Sequence, residues 1–251
     1  MTKIIIILVL FFTLPYLVYS QMVNIEKKRI GSKGSGLQGS VDLSLTIKEY
    51  NDEIIQGKTN IRLQYHKKRS TFLIFNEISL IQINDVRYLN EGFEHFRYNY
   101  DFPNDWLVGE FFLQHQYNAP KKIDNRVLVG IGPRFKIIDR DSLGLFFGPL
   151  SVYEYEQLME GLGETNRLRL SSYISFRYIF SKLLSFNNIT YYQPDYGNLN
   201  DYKIATENNL FFNIGKGFSF KVSFKLTYDS DPPEGVTDLF YSLENGLKYS
   251  F

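Results

Sequence analysis

The chain has 251 residues, 28 Lys and Arg against 27 Asp and Glu, a net charge of +1, and no cysteine. Near-neutrality gives no bulk field for nucleic acid or another acidic partner, and the missing thiols exclude disulfides, thiolate metal sites and acylation at a cysteine. Aromatic rings make up 17% of the residues, with 19 Tyr and 22 Phe, and favour strands over helices, yet mean hydropathy is only −0.22.

From the amino end, Met1 to Ser20 reads as a secretory signal peptide, with Lys3 as the basic region, Ile4 to Leu14 as the apolar core and cleavage after Ser20. That core is too short to span a bilayer. Residues 21–36 carry Lys27, Lys28, Arg29 and Lys33 among Gly31, Gly34 and Gly36, the composition of a flexible periplasmic leader. The remaining 37–251 form one domain in which apolar and polar side chains alternate, the mark of strands with two unlike faces.

The first strand, near 37–48, sets Val41, Leu43, Leu45 and Ile47 against Ser40, Asp42, Ser44 and Thr46. In the second, Ile61, Leu63 and Tyr65 oppose Asn60, Arg62, Gln64 and His66. Fainter strands follow near 71–81, 93–101, 106–117, 125–137 and 143–155. Residues 167–178 are clear, with Leu168, Leu170, Ile174, Phe176 and Tyr178 on one face and Arg167, Arg169, Ser171, Ser175 and Arg177 on the other. Weaker strands at 183–192 and 202–214 precede a strong one at 218–228, and 238–251 closes the series. Twelve strands is the expected count, with ten the nearest alternative.

Links after odd strands are expected to be long (48–57, 81–92, 118–124, 156–165, 193–201, 229–237). Those after even strands are short (66–70, 102–105, 138–142, 180–182, 215–217). Long loops alternating with tight turns is the topology of an all-β, antiparallel, up-and-down transmembrane β-barrel in the outer membrane of a Gram-negative bacterium, with both termini periplasmic. An unpaired backbone group facing hydrocarbon costs several kcal/mol, so 238–251 is expected to pair with 37–48. Tyr65, Trp106, Tyr117, Tyr153, Tyr178, Tyr192, Tyr202, Tyr228, Tyr241 and Tyr249 are expected to supply two interfacial girdles.

The last strand ends Glu244-Asn245-Gly246-Leu247-Lys248-Tyr249-Ser250-Phe251. Gly246, Tyr249 and Phe251 resemble the assembly signal that the barrel-assembly machinery reads, and are expected to serve as one. Replacing Phe251 or Tyr249 by a polar residue is expected to impair assembly, and normal membrane levels of such a variant would refute the closing-strand reading.

The stretch Gly130-Ile131-Gly132-Pro133-Arg134, the loop Pro232-Pro233-Glu234-Gly235 with Asp238 after it, and the ending Gly246 to Phe251 resemble the salt-stress-induced outer-membrane proteins also called domain of unknown function 481. The resemblance covers about 37–251. It implies an outer-membrane barrel and supplies no catalytic residues to carry over.

With the apolar face to lipid, the lumen receives Arg62, Glu77, Glu110, Arg126, Arg134, Lys136, Arg169, Arg177, Glu207, Lys221, Lys225 and Glu244, eight basic and four acidic groups. They make either a narrow, weakly anion-selective pore for small solutes or ions, or a plug of cross-lumen ion pairs. His66 falls beside Lys67, Lys68 and Arg69, and His95 and His115 have no second ligand at metal spacing, so no metal and no cofactor is expected. Gly130 and Gly132 are mid-strand and make no phosphate loop. The expectation is therefore not an enzyme. It is a narrow or gated pore, or a non-conducting barrel whose outer loops bind a partner or glycan, with an outer-membrane lipid enzyme as the less favoured reading. Expected partners are outer-membrane lipids, lipopolysaccharide and the assembly machinery. The loop 229–234, with three carboxylates, reads either as a divalent-cation site beside lipopolysaccharide or as a segment stiffened by its two prolines, and Glu154, Glu156, Glu160 and Glu164 read as another, solvated outer loop.

Overall fold

Alternating side chains commit almost the whole chain to one sheet. The computed structural model describes residues 35–49, 52–215 and 218–249. The signal segment, most of the leader and Phe251 lie outside the described residues. Twelve strands follow one another: β1 (Gly36–Glu49), β2 (Glu53–Lys67), β3 (Ser70–Ile83), β4 (Val86–Asp101), β5 (Leu107–Asn118), β6 (Ile123–Asp139), β7 (Leu143–Leu158), β8 (Glu164–Ile179), β9 (Leu184–Pro194), β10 (Tyr202–Gly215), β11 (Phe218–Asp229) and β12 (Leu239–Tyr249). Each pairs antiparallel with the next, in the order β1 to β12. The chain folds as an up-and-down transmembrane β-barrel. Among the described residues no ladder joins β12 to β1.

Two links differ from expectation. The link expected at 81–92 is a tight turn, and the one expected at 48–57 is narrowed to the three residues between Glu49 and Glu53, because the strands run on past the alternating stretch: β2 begins at Glu53, β3 ends at Ile83 and β4 begins at Val86. Asn84 makes the tight turn work. It adopts the left-handed region (φ 51°), which Asn tolerates better than most residues, and its side-chain oxygen accepts from the Glu53 N–H at 2.9 Å. The later odd links, 119–122, 159–163, 195–201 and 230–238, are longer, and a 3-10 turn at Ala119–Lys121 occupies the first of them.

The outer surface carries apolar side chains with rings towards both strand ends. Near the even-numbered turns Tyr65 stacks on Phe72, Trp106 on Phe135, and Phe135 on Phe147. Towards the odd links Tyr192, Tyr202 and Tyr228 follow one another at 5.7 and 5.8 Å, with Tyr153 and Tyr241 exposed nearby in the sheet. Rings with one apolar and one wet end suit a membrane interface.

The inward face is not uniformly polar. Leu73, Phe75 and Phe93 are buried together, and so are Phe112, Leu128, Leu150, Val152, Tyr173, Ile189, Tyr191 and Ala205. Together they form an apolar belt across the lumen on the side of β3 to β10. Gly130 and Gly148 face the rings of Phe112 and Tyr173 so closely that a Cβ at either position would collide with them. The missing side chains are what let these rings lie flat in the belt.

Candidate functional site: the charge-bridged lumen

Above the belt, towards the odd links, charged side chains from β6, β7, β8 and β10 meet. Glu154 is the hub. It accepts from Arg126 Nε at 3.0 Å and from Arg169 Nε at 3.0 Å, contacts a second guanidinium nitrogen of Arg126, and lies 3.6 Å from Lys203 Nζ. Arg169 turns its other two nitrogens to Asp201 at 2.9 and 3.2 Å, a bidentate pair. Arg126 and Lys203 also reach Glu156, and Lys203 reaches Asp229 at 3.4 Å. Arg167 continues the chain to Asp195, Asp201 and Asp231 at 3.0, 2.8 and 3.5 Å.

These ten groups are six carboxylates and four cations, the reverse of the basic excess expected for the lumen. The solvated-loop expectation for Glu154 and Glu156 is overturned as well: both lie in β7 and are buried. Asp229 and Asp231 are ion-paired, with Lys203 and Arg167 respectively. Asp195, just past the end of β9, is pushed up by burial, but the Gly197 N–H at 2.7 Å and the Arg167 guanidinium outweigh this and hold its carboxyl below the usual range.

Below the belt a second cluster forms. Tyr173 donates its hydroxyl hydrogen to Glu110 at 2.7 Å, Arg97 lies 3.5 Å from the same carboxylate and Arg134 3.9 Å. Arg134 also sits over the Phe146 ring at 4.3 Å. A small internal space of about 40 Å³ lies among Arg97, Gln114, Arg126, Ser171, Tyr173 and Gln193, room for very few waters. His95 is packed in this layer against the rings of Phe93 and Phe112, with Nδ1 3.1 Å from Gln114.

The candidate residues thus separate. Glu110, Arg126, Arg134, Arg169 and Glu207 are buried. Arg62, Glu77 and Lys221 are only half-buried along β2, β3 and β11, in the company of Lys58, Glu91 and Lys225. Arg62 donates to Asn60, and Asn60 to Glu77. Arg177 is at the even-turn rim, 45% exposed and 3.7 Å from Asp139. Lys136 holds Asp101 at that same rim. Glu244 pairs in register with Ser223, Gly246 with Lys221 and Tyr249 with Phe218. Sequence reasoning missed Arg97, Asp195, Asp201 and Lys203. Asp195 and Asp201 sit in a loop, where spacing carries no information about facing.

The mouth is roofed by the 3-10 turn and the 230–238 loop. Lys121 reaches across to the Phe240 ring at 5.1 Å. It separates a space bounded by Lys58, Glu77, Glu91 and Gln116 from one bounded by Arg126, Glu156, Lys203, Pro232 and Val236. Burial, followed by the charges of Lys203 and Arg126, pushes its ammonium down to about 7, against the opposing pull of Asp229 and Glu156.

The model of one protein family matches residues 41–251, with the description "Protein of unknown function, DUF481". The chain belongs to that family. Among curated proteins none matches it. Of solved structures, one titled as a NanC porin is 8% identical to this DUF481 chain, covers 84% of it and all of its own length, and has a TM-score of 0.50. A second, titled "Bacterial polysaccharide outer membrane secretin", is 8% identical, covers 84% of the DUF481 chain and 89% of its own, with a TM-score of 0.46. The first likeness extends to the fold. Among the described residues of the DUF481 barrel no group of three or more His, Cys, Asp or Glu is gathered to hold a metal.

Proposed function

We propose that the protein is an outer-membrane barrel that passes small ions or solutes through a narrow, off-centre route, with the β4–β9 side of its lumen acting as a fixed plug. One observation carries this reading. The inward side chains of β4 to β9 are mostly buried in the apolar belt and the two charge clusters, whereas Lys58, Arg62, Glu77, Lys221 and Lys225 on the remaining wall stay partly exposed. Charged groups that keep access to water mark a hydrated route. Twelve strands enclose less than a wide porin channel but more than a lumen that side chains fill by themselves. The same reading places both termini in the periplasm and the roofing loops outside, in contact with lipopolysaccharide, with assembly by the barrel-assembly machinery. No reaction is assigned to it.

The test is conductance of the refolded, heat-modifiable protein in a planar bilayer. Small discrete ohmic steps, with ion selectivity altered by Arg62→Gln or Lys221→Gln, are expected. A folded barrel without steps would overturn the proposal and turn attention to the roofing loops as a binding surface.

Lys121 supplies a pH-dependent expectation. Its ammonium is charged below about 7 and neutral above, so the mouth loses one positive charge as pH rises through that value. Preference for cations is expected to increase between pH 6 and pH 8, and Lys121→Gln should remove the change. Reversal potentials in a salt gradient would show it, and identical pH curves for the two proteins would sink it.

A further inference from the structure

The outer wall of β2 to β5 carries a row of polar side chains where lipid is expected. Thr59, Asn76, Glu94 and His115 come from four successive strands and all face outward. Asn76 is in register with Glu94, and Glu94 with His115. The Thr59 hydroxyl lies 3.4 Å from Asn76 Oδ1, the Asn76 amide donates to Glu94 at 3.4 Å, and Glu94 lies 3.6 Å from His115 Nδ1. On β4 the row lies between outward-facing rings, Tyr88 six residues to one side and Tyr98 four to the other. At about 3.3 Å per residue along a tilted strand, Glu94 lies inside the apolar band on its odd-link side, where Tyr117 follows His115 by two residues. Ile74, Ile78, Phe96 and Leu113 surround it.

A carboxylate there is costly unless something covers it. Its own neighbours do not, because the Glu94 side chain remains 63% exposed and that of His115 45%. A second polar patch on the far wall makes the contrast. Asn188, Thr190, Thr206 and Asn208 on β9 and β10 also face outward, but they bond one another at 2.8 to 3.4 Å and contain no charge. That patch satisfies itself. The Glu94 row presents an acid and a base side by side, both with open faces.

We propose that the β2–β5 wall is a two-fold interface between two copies of this barrel, with Glu94 of each copy meeting His115 of the other. A two-fold contact requires a patch complementary to itself. Adjacent acidic and basic groups in one row meet that requirement, since rotation places each opposite its counterpart. The flat aliphatic and aromatic surround supplies packing, and closing it over the row removes the carboxylate from lipid. The inference rests on the barrel fold and is independent of conductance.

Because the chain has no cysteine, single cysteines report the contact cleanly. Leu113→Cys, beside the row, is expected to give an oxidised species of twice the monomer mass in native membranes, and Ile174→Cys on β8, outside the β2–β5 wall, to give none. Adding Glu94→Leu and His115→Leu to Leu113→Cys should lower the cross-linked fraction at least tenfold. Heat-modifiability of that variant would show that the barrel still folds, so lost cross-linking would report the interface. Equal cross-linking at both cysteines, no dimer at either, or a Leu113→Cys adduct of another mass would overturn the second-copy interface. Loss of heat-modifiability in the unsubstituted protein would instead overturn the barrel reading itself.

Discussion

Glu154→Leu is expected to cost about 3–5 kcal/mol of stability, the range for breaking a buried ion pair by removing one partner. The carboxylate touches Arg126, Arg169 and Lys203 at once, so its loss strands three buried cations and leaves them only Glu156, Asp201 and Asp229. Glu154→Gln keeps one acceptor for a guanidinium and should lose less. Equilibrium urea unfolding of the refolded barrel in lipid vesicles measures both. A loss under about 1 kcal/mol, the ceiling for exposed pairs, would show that water already reaches the cluster.

Tyr173→Ala is expected to open the plug. Tyr173 is 1% exposed, packs on Tyr191 at 5.5 Å, and hydrogen-bonds the buried Glu110. Removing the ring should cost about 3–5 kcal/mol, as for other large aromatic truncations in packed interiors, and raise single-channel conductance severalfold. Tyr173→Phe keeps the ring and deletes only the hydroxyl. It should cost about 1–3 kcal/mol through the weakened satisfaction of Glu110 and leave conductance unchanged. Unaltered conductance in Tyr173→Ala would mean that the belt does not block the lumen.

The strands were legible because hydrocarbon on one side and lumen on the other enforce a period of two. Residues 167–178 and 218–228 lie within β8 and β11 almost end to end. Legibility fails where that force stops. Residues 53–58 and 82–92 are polar or irregular, and read as loops, yet their backbones continue the ladders beyond the alternating stretch. The belt was hidden for another reason. Treating the lumen as polar assigns every apolar side chain to lipid, although Phe72-Leu73-Ile74-Phe75 and Leu145 to Val152 are apolar on both faces, the pattern of strands buried on both sides. That signal was present at Leu73, Phe75, Leu150 and Val152. The pairing of Arg167 and Arg169 with Asp195 and Asp201 depends on how a seven-residue loop folds back over the mouth, and no spacing encodes it.

The unequal odd links give the barrel a lopsided rim. Between β3 and β4 the wall ends in a clipped hairpin at 84–85, while from β5 to β12 it carries longer links braced by Arg167, Lys203 and Lys121. An antibody or phage approaching a cell with this orientation would find most of its footing on one flank. The flank that carries the Glu94 row has the shorter odd links. With the proposed orientation, an epitope tag for surface display belongs at Gly161–Gly163, where both glycines have positive φ and a Cβ would meet open space, rather than at Asn84, whose side chain fastens the neighbouring strand.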